Sequence, residues 1–301
     1  MESKPVTIFG LPVRLTDVVT LGGLLMLTMP AALFSGRTED PASVIAVNLV
    51  LSFIYAGSLL LLKSAKPRLL RFLVRTAVVQ FTFMQVYVTG LRLQGLLSGW
   101  HDESVLAWEK AVFGLQPLLR LERFHYPWLS EWMFFVYVFY VAIYPILAAV
   151  IYFKHGEDAN EAYLTRLGLV NLACALGFIV YPVAGPMHWE RVHVLLVKPF
   201  HPSFFAGLAE YIRTHIHRPG GTIPSPHAAV ATVMWFMSFK YSRRLFWLLA
   251  PVILSLYVST VYGRFHYVSD TVIGVAVAVV ALMAAPSVQK AWNRLAAGRS
   301  S

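Results

Sequence analysis

The chain has 301 residues, of which 57% are hydrophobic and only 13% charged, and its mean hydropathy is +0.62. A soluble domain carries about 25% charged residues, so this composition excludes ordinary water-soluble domains and leaves one helical membrane domain. The net charge of +10 is spread in short basic blocks between apolar runs, which suits loops resting on anionic lipid and not a nucleic-acid surface.

A hydrocarbon core takes about 20 apolar residues per helix. Eight segments come close: Asp17–Ser35, Ser43–Leu62, Leu70–Leu93, Leu129–Phe153, Leu164–Ala184, Pro224–Phe239, Leu245–Tyr262 and Tyr267–Ala285. The first reads as a retained membrane helix, since the N-terminus does not show the pattern of a cleaved leader. The sixth is the shortest. The single cysteine, Cys174, lies in an apolar run and reads as a small buried hydrophobe.

Basic residues set the orientation. Lys63, Lys66, Arg68, Arg71 and Arg75 fill the second loop, and Lys240, Arg243 and Arg244 the sixth. Lys290, Arg294 and Arg299 mark the C-terminal tail. Lys154 and Arg166 in the fourth loop are diluted by Glu157, Asp158 and Glu161. Eight helices put all four on one side with the N-terminus, which predicts cytoplasmic termini. The other side then holds the Arg37–Pro41 turn, Gln94–Trp128, Gly185–Ile223 and the Gly263–His266 turn. Gln94–Trp128 carries Trp100, Trp108 and Trp128, and its apolar stretch Val112–Leu119 reads as a short helix in the interface. The compact loops suggest a bacterial inner membrane.

Two segments carry chemistry. In Gly220-Gly221-Thr222-Ile223-Pro224-Ser225-Pro226-His227, glycines allow close backbone approach and Ser225 can cap a helix. Free N–H groups at such a helix start attract phosphate, and His227 sits in the first turn. Further on, His266 and Asp270 stand at i and i+4, one face of a helix. A carboxylate on one ring nitrogen leaves the other free as a nucleophile. Each segment alone also fits a blander reading, an interfacial histidine at a loop junction or an Asp cap beside a surface histidine. Between them lie a helix, the Lys240–Arg244 turn and a second helix, so the hairpin returns both histidines to one depth on one face. Two histidines, a carboxylate and Arg264 beside an anion-binding helix end suit phosphoryl transfer.

These segments resemble the second and third signature motifs of the type 2 phosphatidic acid phosphatase superfamily. Pro224 to His227 match its Pro-Ser-x-His, and His266 to Asp270 match its His-x3-Asp. The resemblance implies an all-α, polytopic integral membrane protein: two N-terminal helices over residues 1–66, a six-helix catalytic core over 67–290 and a cytoplasmic tail over 291–301. It implies His266 as nucleophile, Asp270 as its partner and His227 as general acid, acting on a lipid phosphate without metal or cofactor and with no nucleic acid. The family's first motif, Lys-x6-Arg-Pro, is absent in that form. Lys198, Arg213 and Arg218-Pro219 are the nearest basic candidates for holding phosphate, with Ser225 and Arg264. Thr260 stands where the third motif has an Arg, and Pro226 where Gly is common. These departures are similar to the branch of inositol phosphorylceramide synthases and their bacterial relatives, which transfer head groups.

The remaining features read more plainly. Tyr181–Trp189, with two prolines and a glycine, reads as a helix break shaping a pocket rim. His193, His201, His215 and His217 have no carboxylate or Cys at ligand spacing, so no metal site is expected. Gln80, Gln85 and Asn171 suit hydrogen bonds between helices. Tyr137, Tyr140 and Tyr144 read as a packing stripe. A proton-coupled transporter is the non-enzymatic alternative, and an inactive scaffold a further one. The polar residues gather at one membrane face and not at the midplane, which speaks against transport.

Overall fold

The computed structural model describes residues 5–8, 10–196, 198–200, 203–215 and 218–298; His201, His217 and Arg299 lie outside them. Apart from an N-terminal hairpin, β1 (Val6–Ile8) with β2 (Leu11–Val13), the regular structure described is helical. The first long helix, Leu15–Leu33, runs through α1 (Leu15–Asp17), a π-turn at Val18–Gly22 and α2 (Gly23–Leu33). α3 (Pro41–Ser64) and α4 (Arg68–Leu93) follow. Two short helices, α5 (Asp102–Phe113) and α6 (Pro117–Leu121), precede α7 (Pro127–His155) and α8 (Glu157–Val180). α9 (Glu190–His193) and α10 (Phe204–His215) lead to α11 (Pro226–Tyr241), α12 (Arg243–Tyr262) and α13 (Val268–Gly298).

Among the described residues, seven helices are long and apolar enough to cross a bilayer, and the chain is an integral membrane protein. Their exposed residues, such as Val50, Phe53, Val141, Val280 and Met283, are apolar and face lipid. The sequence suggests eight spans. The segment outside these seven is the sixth, α11, which begins at Pro226 and not Pro224 and has only 16 residues, about 24 Å of helix. It tolerates that length because α7, α8, α12 and α13 pack around it. Ala228, Ala229, Val230, Val233, Met234 and Met237 are fully enclosed.

Local chemistry sets several boundaries. Pro41, Pro127 and Pro226 open their helices, where a missing N–H costs nothing. The Ser225 and Ser242 hydroxyls accept from the N–H groups of Ala228 and Leu245, capping α11 and α12. Two expectations change. The Val112–Leu119 stretch is not one helix, because Gly114 (φ 73°) ends α5 and Pro117 starts α6. α8 stops at Val180, short of Ala184, since Pro182 disfavours helix at the residue before it. Gln85 does bridge helices, donating to Asn48 on α3 at 2.6 Å, whereas Asn171 donates to Leu167 within its own helix.

Charge is sorted to the two ends of the bundle. At one end Arg75 forks onto Glu161, with both contacts at 2.7 Å, and reaches Asp17. Tyr55 donates to Asp17 at 2.8 Å. Arg71 pairs with Glu157, and Arg14 with Asp158. Lys63 donates to the Gly10 carbonyl, His155 contacts the Tyr241 carbonyl, and Trp292 packs on Val6 and Leu15. The N-terminal hairpin, the loops after α3, α7 and α11, and the far part of α13 therefore share one end, the grouping expected from loop charge. At the other end Arg92 and Arg218 meet on Glu39, and Arg264 pairs with Glu122.

Arg75, Asp17 and Glu161 are all buried. Removing the shared cation leaves two enclosed carboxylates without it, a loss of about 3–5 kcal/mol. Arg75→Ala is therefore expected to unfold far below wild type in detergent thermal denaturation, and a transition within a degree or two of wild type would contradict the reading.

Candidate active site

The segment before α11 is pinned by its backbone. Gly220 (φ 100°) and Gly221 (φ 67°) take left-handed conformations that favour glycine. Gly220 N–H donates to the Ala184 carbonyl and the Thr222 hydroxyl to the Val183 carbonyl, both at 3.0 Å. The chain thus enters α11 tied to the extended stretch after α8. The Ser225 N–H donates to the Asp270 carbonyl at 3.0 Å, which locks the starts of α11 and α13 together.

The second motif arrives through a tight turn. Arg264 adopts φ 65°, and the N–H groups of Phe265 and His266 both donate to the Thr260 carbonyl at 3.0 Å. This turns the His266 ring toward α11. His266 Nδ1 lies 3.3 Å from Asp270 Oδ2, and His266 Nε2 lies 3.3 Å from His227 Nδ1. The Tyr267 N–H also donates to Asp270 Oδ2, at 2.9 Å. With Nδ1–H donated to Asp270, His266 presents an Nε2 lone pair, and His227 faces it as a donor.

His266 is 2% exposed and Asp270 0%. Burial pushes the His266 imidazole down to about 3, with a hydrogen bond to the Thr222 backbone pulling weakly the other way. The ring is therefore neutral at physiological pH, the form a nucleophile needs. His227 is half-buried. It stacks on Tyr137 with centroids 4.7 Å apart and lies 4.9 Å from Tyr140. Tyr137 in turn stacks on Phe265 at 4.2 Å. The tyrosine stripe of α7 does pack, and part of what it packs against is this imidazole.

The basic residues divide. Arg264 is buried, donates to Glu122 and to the Lys198 carbonyl, and lies over the Phe200 ring at 4.8 Å. Lys198 contributes that carbonyl while its side chain is exposed. Arg213 pairs with Glu210 on α10, and its charge is felt at Arg264 and His188. Arg218 engages Glu39, in the turn before α3. The structure thus brings Ser225, His227, His266 and Asp270 into direct contact. It holds Arg264, Arg213 and the Lys198 backbone in a second group and ties Arg218 to the N-terminal helices. Of the four histidines that raise the question of a metal, His201 and His217 lie outside the described residues, and His215 contacts the Thr214 hydroxyl and the Tyr211 carbonyl.

Two acidic residues that no sequence motif marks complete the region. Asp102 and Glu109 on α5 are fully buried and hold the same region. Asp102 accepts from the N–H groups of Ala184 and Gly185 and from the Tyr267 hydroxyl. Glu109 accepts from the N–H and hydroxyl of Ser269. Their spacing, two turns apart on one face of α5, is a signal the sequence does carry.

A family model for the PAP2 superfamily matches residues 103–284, which take in both histidine motifs and most of α5. This chain belongs to the PAP2 superfamily. No curated protein and no solved structure matches it. As a PAP2 protein it is a membrane phosphatase or phosphotransferase acting on phosphate esters.

Two predictions follow the geometry of this PAP2 site. A Cβ at Gly274 on α13 would lie 2.5 Å from the Ser225 carbonyl oxygen, whereas one at Gly207 on α10 meets nothing within 4 Å. Gly274→Ala should destabilise by about 1–3 kcal/mol and reduce turnover in the folded fraction, with Gly207→Ala as the neutral comparison; equal behaviour of the two would refute the close approach. The second concerns acid. Folded His266 takes its proton near 3 and an unfolded imidazole near 6.5. The unfolded chain binds more protons between those values, so stability falls as pH drops through that window. His266→Gln should lose less stability than wild type between pH 7 and 4, read by denaturation at each pH.

Proposed function

We propose that this PAP2 protein cleaves or transfers a lipid phosphate ester through a phosphohistidine on His266. The observation that carries the reading is the line Asp270–His266–His227, with 3.3 Å at each step. His266 Nε2 attacks phosphorus, forming an N–P bond as the P–O bond to the leaving alcohol breaks. His227 protonates the departing oxygen. Asp270 accepts the Nδ1–H and supports the positive charge that grows on the ring. Water, deprotonated by His227, then attacks phosphorus, breaks the N–P bond and frees phosphate. A lipid hydroxyl in the same role gives head-group transfer.

The free N–H groups at the α11 N-terminus are offered to the phosphoryl oxygens. Arg264, Arg213 and Arg218 are held by Glu122, Glu210 and Glu39, so each would add charge there only by exchanging its carboxylate for phosphate, and Lys198 only by turning in from the surface. The chemistry as written uses no metal ion, so turnover should survive a chelator. The basic end of the bundle faces the cytoplasm by the distribution of Lys and Arg, so the site opens on the opposite face, with both termini cytoplasmic. Residues 67–290 form the catalytic unit, residues 1–66 an accessory helix pair and residues 291–301 a tail. A second reading, head-group transfer of the inositol phosphorylceramide synthase type, is favoured by the absent Lys-x6-Arg-Pro element and by Thr260 at the upstream Arg position.

The test uses purified protein in detergent with a panel of lipid phosphates, following phosphate release. His266→Ala is expected to lose at least about 10³-fold in turnover, with Asp270→Asn also strongly impaired. Turnover retained in His266→Ala would sink the mechanism. If wild type releases no phosphate across the panel but converts a phosphodiester donor in the presence of a lipid alcohol, the transferase reading takes over.

A further inference from the structure

Asp270 and His266 do not hold themselves in place. The turn that carries them, His266–Asp270, is grasped from outside by α5, a helix distant in sequence. Asp102 Oδ1 accepts the Tyr267 hydroxyl at 3.0 Å, and the same carboxylate accepts the Ala184 and Gly185 N–H groups at 2.8 and 2.9 Å. Two turns along, Glu109 Oε1 accepts the Ser269 N–H at 2.8 Å and the Ser269 hydroxyl at 3.0 Å. The Ser269 bond satisfies one of the free N–H groups that open α13, a helix cap supplied from another helix. Residues 267 and 269 flank the backbone on which Asp270 must hold its angle to His266.

The residue types are costly for a merely structural role. Both carboxyls are completely enclosed. Burial raises both above the usual carboxylate range, and the neighbouring Asp270 raises Glu109 further. Glu109 Oε2 has no partner among the described residues, nor has Asp270 Oδ1. Amide or hydroxyl side chains would meet several of these donors without gathering acids beside Asp270. Beside this buried face α5 exposes Trp108 and Val112, side chains that suit a bilayer interface.

We propose that Asp102 and Glu109 are positioning residues for the phosphoryl-transfer reaction, with α5 acting as a clamp that sets the His266–Asp270 geometry through Tyr267 and Ser269. The inference rests on the proposed roles of His266 and Asp270. Neither α5 carboxylate touches the reacting atoms. Their effect falls on kcat, because a nucleophile held at the wrong angle still lets the lipid bind.

The experiment compares wild type with Tyr267→Phe, Glu109→Ala and Asp102→Asn in detergent, each normalised to protein that elutes folded on gel filtration. Tyr267→Phe removes one hydroxyl and nothing else, so it carries the test should the Asp102 variant fail to fold. The expected result is a fall in kcat of about 10–100-fold with KM changed less than about twofold, and partial recovery in Glu109→Gln, which keeps a carbonyl for the Ser269 N–H. In an Asp270→Asn background the Tyr267→Phe loss should largely disappear, since a positioning effect has nothing left to position. Full kcat in Tyr267→Phe and Glu109→Ala, with His266→Ala inactive, overturns the clamp and leaves the phosphohistidine reading standing. So does a loss that remains fully additive with Asp270→Asn. Turnover that survives in His266→Ala overturns the reading itself.

Discussion

A fully buried carboxylate at the start of an apolar helix is the constraint on which the rest of this structure depends. Asp270 opens α13, and an ionised group there is tolerable only while protein donors meet it. The Tyr267 N–H and the His266 ring meet Oδ2, and the Asp270 carbonyl takes the Ser225 N–H. Those contacts decide the local architecture. They require the α12–α13 turn to be tight, which the left-handed Arg264 provides. They require α11 to begin flush against α13, which Gly274 permits by offering no Cβ.

The opposite end of the bundle solves a similar problem with a different partner. Arg75, Asp17 and Glu161 are enclosed, and the planar guanidinium answers Glu161 with two bonds while turning a third donor to Asp17. This charge cluster links α1, α4 and α8, and through Tyr55 also α3. It stabilises without leaving any group poised to react, because the cation satisfies both acids. At the end that carries the two histidine motifs the partner of the acid is an imidazole whose second nitrogen meets another titratable ring, His227. Exchange of a permanent cation for a titratable ring separates a structural ion cluster from a site capable of chemistry.

Much of this was legible in the sequence because it is local or periodic. The i, i+4 spacing of His266 and Asp270, the Ser225 cap and the hairpin that returns His227 to His266 all depend on short-range geometry. Loop charge likewise grouped the segments that meet around Arg75. What escaped is carried by long-range partners. Asp102 meets Tyr267 across 165 residues, and Glu109 meets Ser269 across 160. No local pattern reveals such a pairing. The basic residues were named in the sequence, but their directions were not. Arg218 turns to Glu39 and Arg264 to Glu122 because carboxylates elsewhere in the chain claim them. The short length of α11 is visible in the sequence, where the sixth apolar segment is the shortest; what hydropathy does not show is that protein, from α7, α8, α12 and α13, surrounds it.

The contrast between the two histidines bears on how the site works. His266 is sealed and hydrogen-bonded on both nitrogens, while His227 keeps partial exposure between Tyr137 and Tyr140. A phosphorus atom attacked by His266 Nε2 must take up the space toward which His227 Nδ1 now points, so one ring has to yield. His227 stacks on Tyr137 and lies against Tyr140, and as the more exposed of the two rings it is the one with room to yield. In the proposed mechanism the sealed ring forms the covalent bond and the more exposed ring exchanges a proton. On that proposal, the acceptor approaches from the side of the more exposed ring, and the residues around His227 on α7 and α11, and not the sealed pair of His266 and Asp270, are where hydrolysis and transfer would be decided.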